Sequence, residues 1–114
     1  MEAMRTTRTE IPPGTLYMLV LKALARLGPM HGYGIAQYIQ QTTEEVLQVE
    51  EGSLYPALQR MLTKSWVKAE WRQTENNRRA RYYTLTPAGR KQLGAEVEEF
   101  ERVMAAIRRV IQPA

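Results

Sequence analysis

Arg60, Lys64, Lys68, Arg72, Arg78, Arg79 and Arg81 stand between Gly52 and Thr86 against two acids, Glu70 and Glu75, a surplus of five in a chain whose net charge is +4. Cations gathered at this density suit a polyanion, because each neutralised phosphate releases a condensed counterion. The remainder of the chain is nearly balanced, with four basic and six acidic residues before Gly52 and five and four after Thr86. Three of the guanidiniums fall in the run Glu75-Asn76-Asn77-Arg78-Arg79-Ala80-Arg81. A charged turn alone is a solvated turn. One that follows a helix with a polar outward face reads as a basic wing behind a recognition helix.

Other chemistries find little support. Cysteine is absent and His31 is the only histidine, which excludes disulfides, zinc ribbons and a Ser/His or Cys/His arrangement within one chain, so neither a metal nor a cofactor is expected. Ser53 has no base in reach of the pattern, no Gly-Lys-Ser/Thr phosphate loop exists, and Glu44-Glu45 and Glu50-Glu51 read as solvated pairs on a loop. An enzyme is therefore not expected. No apolar run approaches the ~20 residues that span a bilayer, and residues 1–9 lack the apolar core of a signal peptide, so a cytoplasmic protein without membrane contact is expected.

The elements that would position the cations follow from periodicity. At 114 residues and 44% hydrophobic content the chain suits one modest core. Residues 1–11 lack a pattern and read as a flexible arm. Thr15 can cap a first helix in which Leu16, Leu19, Val20, Ala23, Leu24 and Leu27 recur at helical spacing, with Tyr17, Met18 and Leu21 widening the apolar surface. Gly28-Pro29 ends it, and His31-Gly32-Tyr33-Gly34 leads into a shorter helix with Ile35, Ile39 and Tyr38 inward. Leu47 to Val49 is extended. A third helix starts between Glu51 and Ser53, with Ser53 as cap and Pro56 in the first turn, and runs to about Lys64. Its apolar face is Leu54, Leu58, Met61 and Leu62; Ser53, Pro56, Arg60, Thr63 and Lys64 project from the other side.

Val67, Ala69 and Trp71 alternate with Lys68, Glu70 and Arg72, and beyond the turn Arg81, Tyr83 and Leu85 alternate with Tyr82 and Thr84, the pattern of a hairpin with Trp71, Tyr83 and Leu85 inward. Thr86-Pro87 opens a last helix reaching roughly Val110. The fold class is mainly α (α+β): a winged helix-turn-helix over residues 12–86, then a long C-terminal helix over residues 87–114.

That last helix carries a seam. Leu93, Val97, Phe100, Met104, Ile107 and Ile111 step by four, three, four, three and four, an a/d repeat. At 1.5 Å per residue the helix is about 36 Å long and must run past its own domain. Leaving the seam wet would forgo ~1.5–3 kcal/mol per large side chain, so a second copy is the expected partner, with Leu16, Tyr17 and Val20 of the first helix as the opposing surface. The alternative is a helix folded back on its own chain.

Gly14-Thr15-Leu16, His31-Gly32-Tyr33-Gly34-Ile35, Gly52-Ser53-Leu54-Tyr55-Pro56-Ala57-Leu58 and Arg81-Tyr82-Tyr83-Thr84-Leu85-Thr86-Pro87-Ala88-Gly89, in this order, resemble a PadR-type transcriptional regulator over about Pro12 to Leu93. The single C-terminal helix resembles the family's compact subgroup. The resemblance implies a homodimeric repressor relieved by a small-molecule inducer or a stress signal. It also implies an inducer cavity at the dimer centre, for which Phe100 and Trp71 are the candidate lining residues, although Phe100 is the only aromatic residue on the last helix.

In such a dimer the third helices would enter successive major grooves of double-stranded DNA, ~34–36 Å apart, and the operator would be palindromic. Ser53, Pro56, Gln59, Arg60 and Lys64 are the candidate groove contacts, and Arg78, Arg79, Arg81 and the Tyr82 hydroxyl the candidate wing contacts, along the backbone or in the adjacent minor groove. Tyr55 is either a core tyrosine with a satisfied hydroxyl or a further DNA contact. The competing function is a winged-helix protein adaptor without DNA binding, which the basic helix and wing disfavour.

Overall fold

The computed structural model describes residues 8–113. In chain order it has β1 (Thr9–Glu10), α1 (Leu16–Leu27), β2 (Met30–His31), α2 (Gly32–Thr42), β3 (Leu47–Gln48), α3 (Glu51–Thr63), β4 (Val67–Gln73), β5 (Arg79–Leu85) and α4 (Pro87–Ile111). Of the arm expected over residues 1–11, residues 1–7 lie outside the described part. Thr9 and Glu10 are not free: they pair in parallel with Leu47 and Gln48.

The core is built around α1. Val20, Leu21, Ala23 and Leu24 are buried, and α2, α3, α4 and β5 all pack on this helix, which accounts for apolar positions on more than one side. Thr15 precedes it, but its hydroxyl donates to the Pro12 carbonyl at 2.8 Å and makes no cap to the first turn. Gly28 ends the helix with φ 77°, a left-handed conformation that spares glycine a Cβ clash, and its N–H reaches the Leu24 carbonyl at 2.9 Å.

Met30–His31 forms a strand that the local pattern did not indicate, antiparallel to β5 with Met30 opposite Tyr83 and His31 opposite Tyr82. The three-stranded order is β2-β5-β4. The His31 ring caps α2 by accepting from the Gly34 N–H at Nδ1, 2.9 Å. Ile35 and Ile39 then face the core as expected, and Tyr38 is half-buried.

Helix α3 begins earlier than its sequence suggests. Glu50, with extended backbone, is the cap residue, and its carbonyl accepts from the Ser53 and Leu54 N–H groups at 3.0 and 2.9 Å. Ser53 is thus the third helical residue, and Pro56 lies in the second turn. The proline removes a bond to the Gly52 carbonyl, but both residues are exposed, so water can satisfy that oxygen. Leu54, Ala57, Leu58 and Met61 are buried.

The hairpin β4–β5 pairs from Val67 with Leu85 out to Gln73 with Arg79. Its turn closes through Thr74 N–H to the Arg78 carbonyl at 2.6 Å, with Asn77 at φ 61° and its side chain accepting from Gln73. Val67 and Tyr83 are buried. Trp71 shares their face but is 59% exposed, because the hairpin has by then left the body of the protein. The expected inward Trp71 is therefore a surface residue.

The Thr86 hydroxyl accepts from the Gly89 N–H at 3.0 Å and donates to the Ser65 carbonyl at 2.6 Å, tying the start of α4 to the α3–β4 loop. Gly89 sits so close to the Trp66 carbonyl that a Cβ would overlap it. Gly89→Ala is expected to lower unfolding stability by about 1–3 kcal/mol in a urea titration, since the obstacle is backbone; a change under about 0.5 kcal/mol would mean that the helix start is free to shift. Beyond Leu93, no α4 side chain is fully buried, and Val97, Val103, Ile107, Val110 and Ile111 are exposed at 37%, 40%, 44%, 83% and 73%. The overhang stretches the molecule to 55 × 37 × 22 Å, with a radius of gyration of 16.0 Å. A compact chain of this length would have about 13 Å.

Candidate nucleic-acid interface

Two parts of the fold bear the residues singled out by charge, the outer face of α3 and the wing, and α4 bears the apolar seam. On α3 the buried stripe leaves an exposed arc in which Pro56, Gln59 and Thr63 point outward, Tyr55 lies at one margin and Arg60 at the other, about 140° round the helix. The Tyr55 ring rests against Gly32, beside the β2–β5 pairing, so this margin faces the wing. It is 46% exposed, a surface tyrosine rather than a core one. The other margin faces α1: Arg60 Nη1 donates to the Tyr17 hydroxyl at 3.3 Å. That bond, and the partial negative charge of the phenol oxygen, raise the affinity of the guanidinium for its proton.

Two expected helix contacts sit away from the outward centre. Ser53 lines a cleft with Ile11, Leu16 and Gln48, and the Lys64 ammonium lies over the Trp66 ring, 5.4 Å from its centroid, with Tyr17 edge-on to the same ring. Gln59 and Arg60 remain exposed on the arc itself.

The wing has two unlike faces. One carries Trp71 opposite Arg81 and Gln73 opposite Arg79, with the Arg79 guanidinium 5.3 Å over the Trp71 ring. The other carries Glu70, which binds Arg72 at 2.6 Å, while Arg72 lies 5.3 Å over the Tyr82 ring and His31 meets Tyr82 edge-on at 5.2 Å. Among the described residues, Arg78, Arg79 and Arg81 make no salt bridge. Burial pushes the Tyr83 phenol above its usual pKa; Tyr55 adds to the push and the Arg81 guanidinium opposes it. Trp71 and Arg81 share the parity of buried Val67 and Tyr83, so the first wing face continues the core side of the hairpin. The sequence indicated neither the Trp71–Arg79 stack nor Tyr33, 68% exposed on the first turn of α2. An arginine two residues diagonal to an aromatic across a hairpin was the available signal.

The seam residues divide. Val20 has no exposed surface and Leu93 only 8%, so both belong to the core of their own chain. Leu16 and Tyr17 are half-buried against that core, whereas Phe100 and Met104 on α4 are half-buried without packing on it. Between α1 and α4 runs a cleft of about 410 Å³ lined by residues that include Met18, Glu96, Glu99, Phe100 and Val103. The Arg102 guanidinium, 2.8 Å from Glu99, holds that carboxyl below its usual range. Trp71 stands on the wing and does not line this cleft. Among the described residues no helix is long and apolar enough to cross a membrane.

A family model described as the transcriptional regulator PadR-like family matches residues 20–95. The chain is 42% identical over 90 residues to an uncharacterised 37.1 kDa protein in a transposon of Streptomyces fradiae, covering 79% of this chain and 24% of that one. It spans about a quarter of that relative's length. A second relative, from Lysinibacillus sphaericus, is 28% identical over 100 residues, covering 88% and 91%. Among solved structures, a transcriptional regulator from Clostridium thermocellum superposes with TM-score 0.79 at 28% identity, covering 87% of this chain and 95% of that one. A PadR family transcription regulator from Clostridium difficile does so with TM-score 0.72 at 25% identity, covering 85% and 98%. With the family model spanning two thirds of the chain and these regulators sharing its fold, the chain belongs to the PadR-like family of transcriptional regulators.

Proposed function

We propose that the protein is a homodimeric, sequence-specific repressor that acts in the cytoplasm on a palindromic operator and is released by a small molecule or stress signal. One observation carries the DNA-binding part: wing guanidiniums that have no acidic partner among the described residues follow directly on the exposed arc of α3. Tyr55, Pro56, Gln59 and Arg60 would meet base edges or phosphates in the major groove, and Arg78, Arg79 and Arg81 the backbone or the minor groove next to it. Ser53, Lys64 and Tyr82 would contribute at the margins. The DNA-binding unit is residues 12–86 and the dimerisation helix residues 87–114. The exposed seam of α4, continued by Leu16 and Tyr17, supports pairing of two copies. The α1–α4 cleft, with Phe100 and two carboxylates, is the place for an inducer.

If each half-site neutralises three or four phosphates, the dimer's affinity for a duplex recovered by selection falls by ~10³–10⁵ between about 50 and 200 mM salt. Fluorescence anisotropy across that range checks it. An affinity independent of salt would remove the electrostatic mechanism and favour a protein adaptor.

A further inference from the structure

Phosphate neutralisation leaves Trp71 without a purpose. An indole ring on a strand that has left the core exposes a large apolar surface, and a solvated wing would be served better by a small polar residue. Here the ring is flanked by two cations, Arg79 stacked over it and Arg81 directly across the ladder. The cation–π contact confines the Arg79 guanidinium over the ring while leaving N–H groups available, so less side-chain entropy is lost when it binds. The Gln73–Asn77 hydrogen bond braces the turn next to it. The opposite face differs, since Glu70 occupies Arg72 there. Among the described residues the Trp71 face has no acidic partner, and it continues the core side of the hairpin beyond Val67 and Tyr83.

We propose that Trp71 and Arg79 form one groove-reading unit: Arg79 enters the narrow minor groove flanking each half-site and Trp71 packs its ring against the deoxyribose wall, so that the protein prefers A·T pairs at positions its recognition helix does not touch. The ligand chemistry is that of A·T-rich duplex DNA. Its minor groove is narrow, with a deepened negative potential, whereas the guanine amino group obstructs the floor of a G·C groove. The inference rests on the DNA-binding reading above and adds to it a specificity determinant outside α3.

The test uses the full-length protein with alternating poly(dA-dT) and poly(dG-dC) duplexes at low salt. Trp71 emission is isolated in a Trp66→Phe chain. As a check that leaves the half-buried Trp66 in place, it is also obtained as the difference between wild type and Trp71→Phe. Binding to the A·T duplex should blue-shift Trp71 and protect it from acrylamide. Trp71→Ala should weaken A·T binding about five- to tenfold more than G·C binding, and Trp71→Phe should retain most of the preference. Binding that leaves Trp71 as accessible as before, or Trp71→Ala with an unaltered A·T preference, overturns the inference but not the DNA-binding reading. Failure to bind either duplex overturns both.

Discussion

A chain carrying Val103→Asp and Ile107→Asp should remain folded, elute as a monomer and lose about 10²–10⁴-fold in affinity for a palindromic duplex. Both side chains are exposed at 40% and 44% in the single chain and lie beyond the last buried residue of α4, so the core gives up nothing when they change. In a paired molecule the same positions would face apolar side chains of the second copy, and four buried carboxylates could not be accommodated there. The DNA affinity falls because a dimer joins two half-site contacts through one rigid body, whereas a monomer must make each contact separately. Light scattering after size exclusion reads the mass, circular dichroism the fold and anisotropy the affinity. A wild-type chain that is already a monomer at micromolar concentration would remove the seam from the account.

Replacing Arg78, Arg79 and Arg81 together by alanine should reduce the slope of log affinity against log salt by roughly five for the dimer, if all six guanidiniums meet phosphates, and weaken binding by at least ~10² near physiological salt. All three are exposed and make no salt bridge among the described residues, so stability should stay within about 0.5 kcal/mol of wild type. Arg72→Ala is the internal control. Its guanidinium is engaged by Glu70 at 2.6 Å and by the Tyr82 ring, and removing it should change the slope far less. Equal effects of the two variants would mean that the faces of the wing are not distinguished by the partner.

What the sequence disclosed, and what it withheld, follows the range of the forces involved. Alternation from Val67 to Leu85 placed the hairpin and its parity correctly, since period two is a local property of the chain. Thr86 and Pro87 marked the start of α4 for the same reason: cap chemistry acts over three residues. The start of α3 was displaced because it depends on tertiary contacts. Val49 is buried, its N–H is held by Gln40 Oε1 at 3.0 Å, and the helix begins as soon as the chain leaves that anchor, before Ser53 is reached. The strand pairings of Met30–His31 and Thr9–Glu10 join residues distant in sequence and leave no local periodicity. Trp71 has the parity of a core residue, and only the length of the hairpin relative to the body makes it a surface one. Val20 and Leu93 were legible as apolar, but which of two surfaces would cover them was not, because intrachain and interchain burial have the same pattern in sequence.

In vitro selection of duplexes by the purified full-length protein tests the central claim most directly, because one experiment returns base preference, symmetry and spacing. The expected product is an enriched palindrome whose half-sites lie about one helical turn apart. Enrichment of asymmetric or random sequences would contradict it.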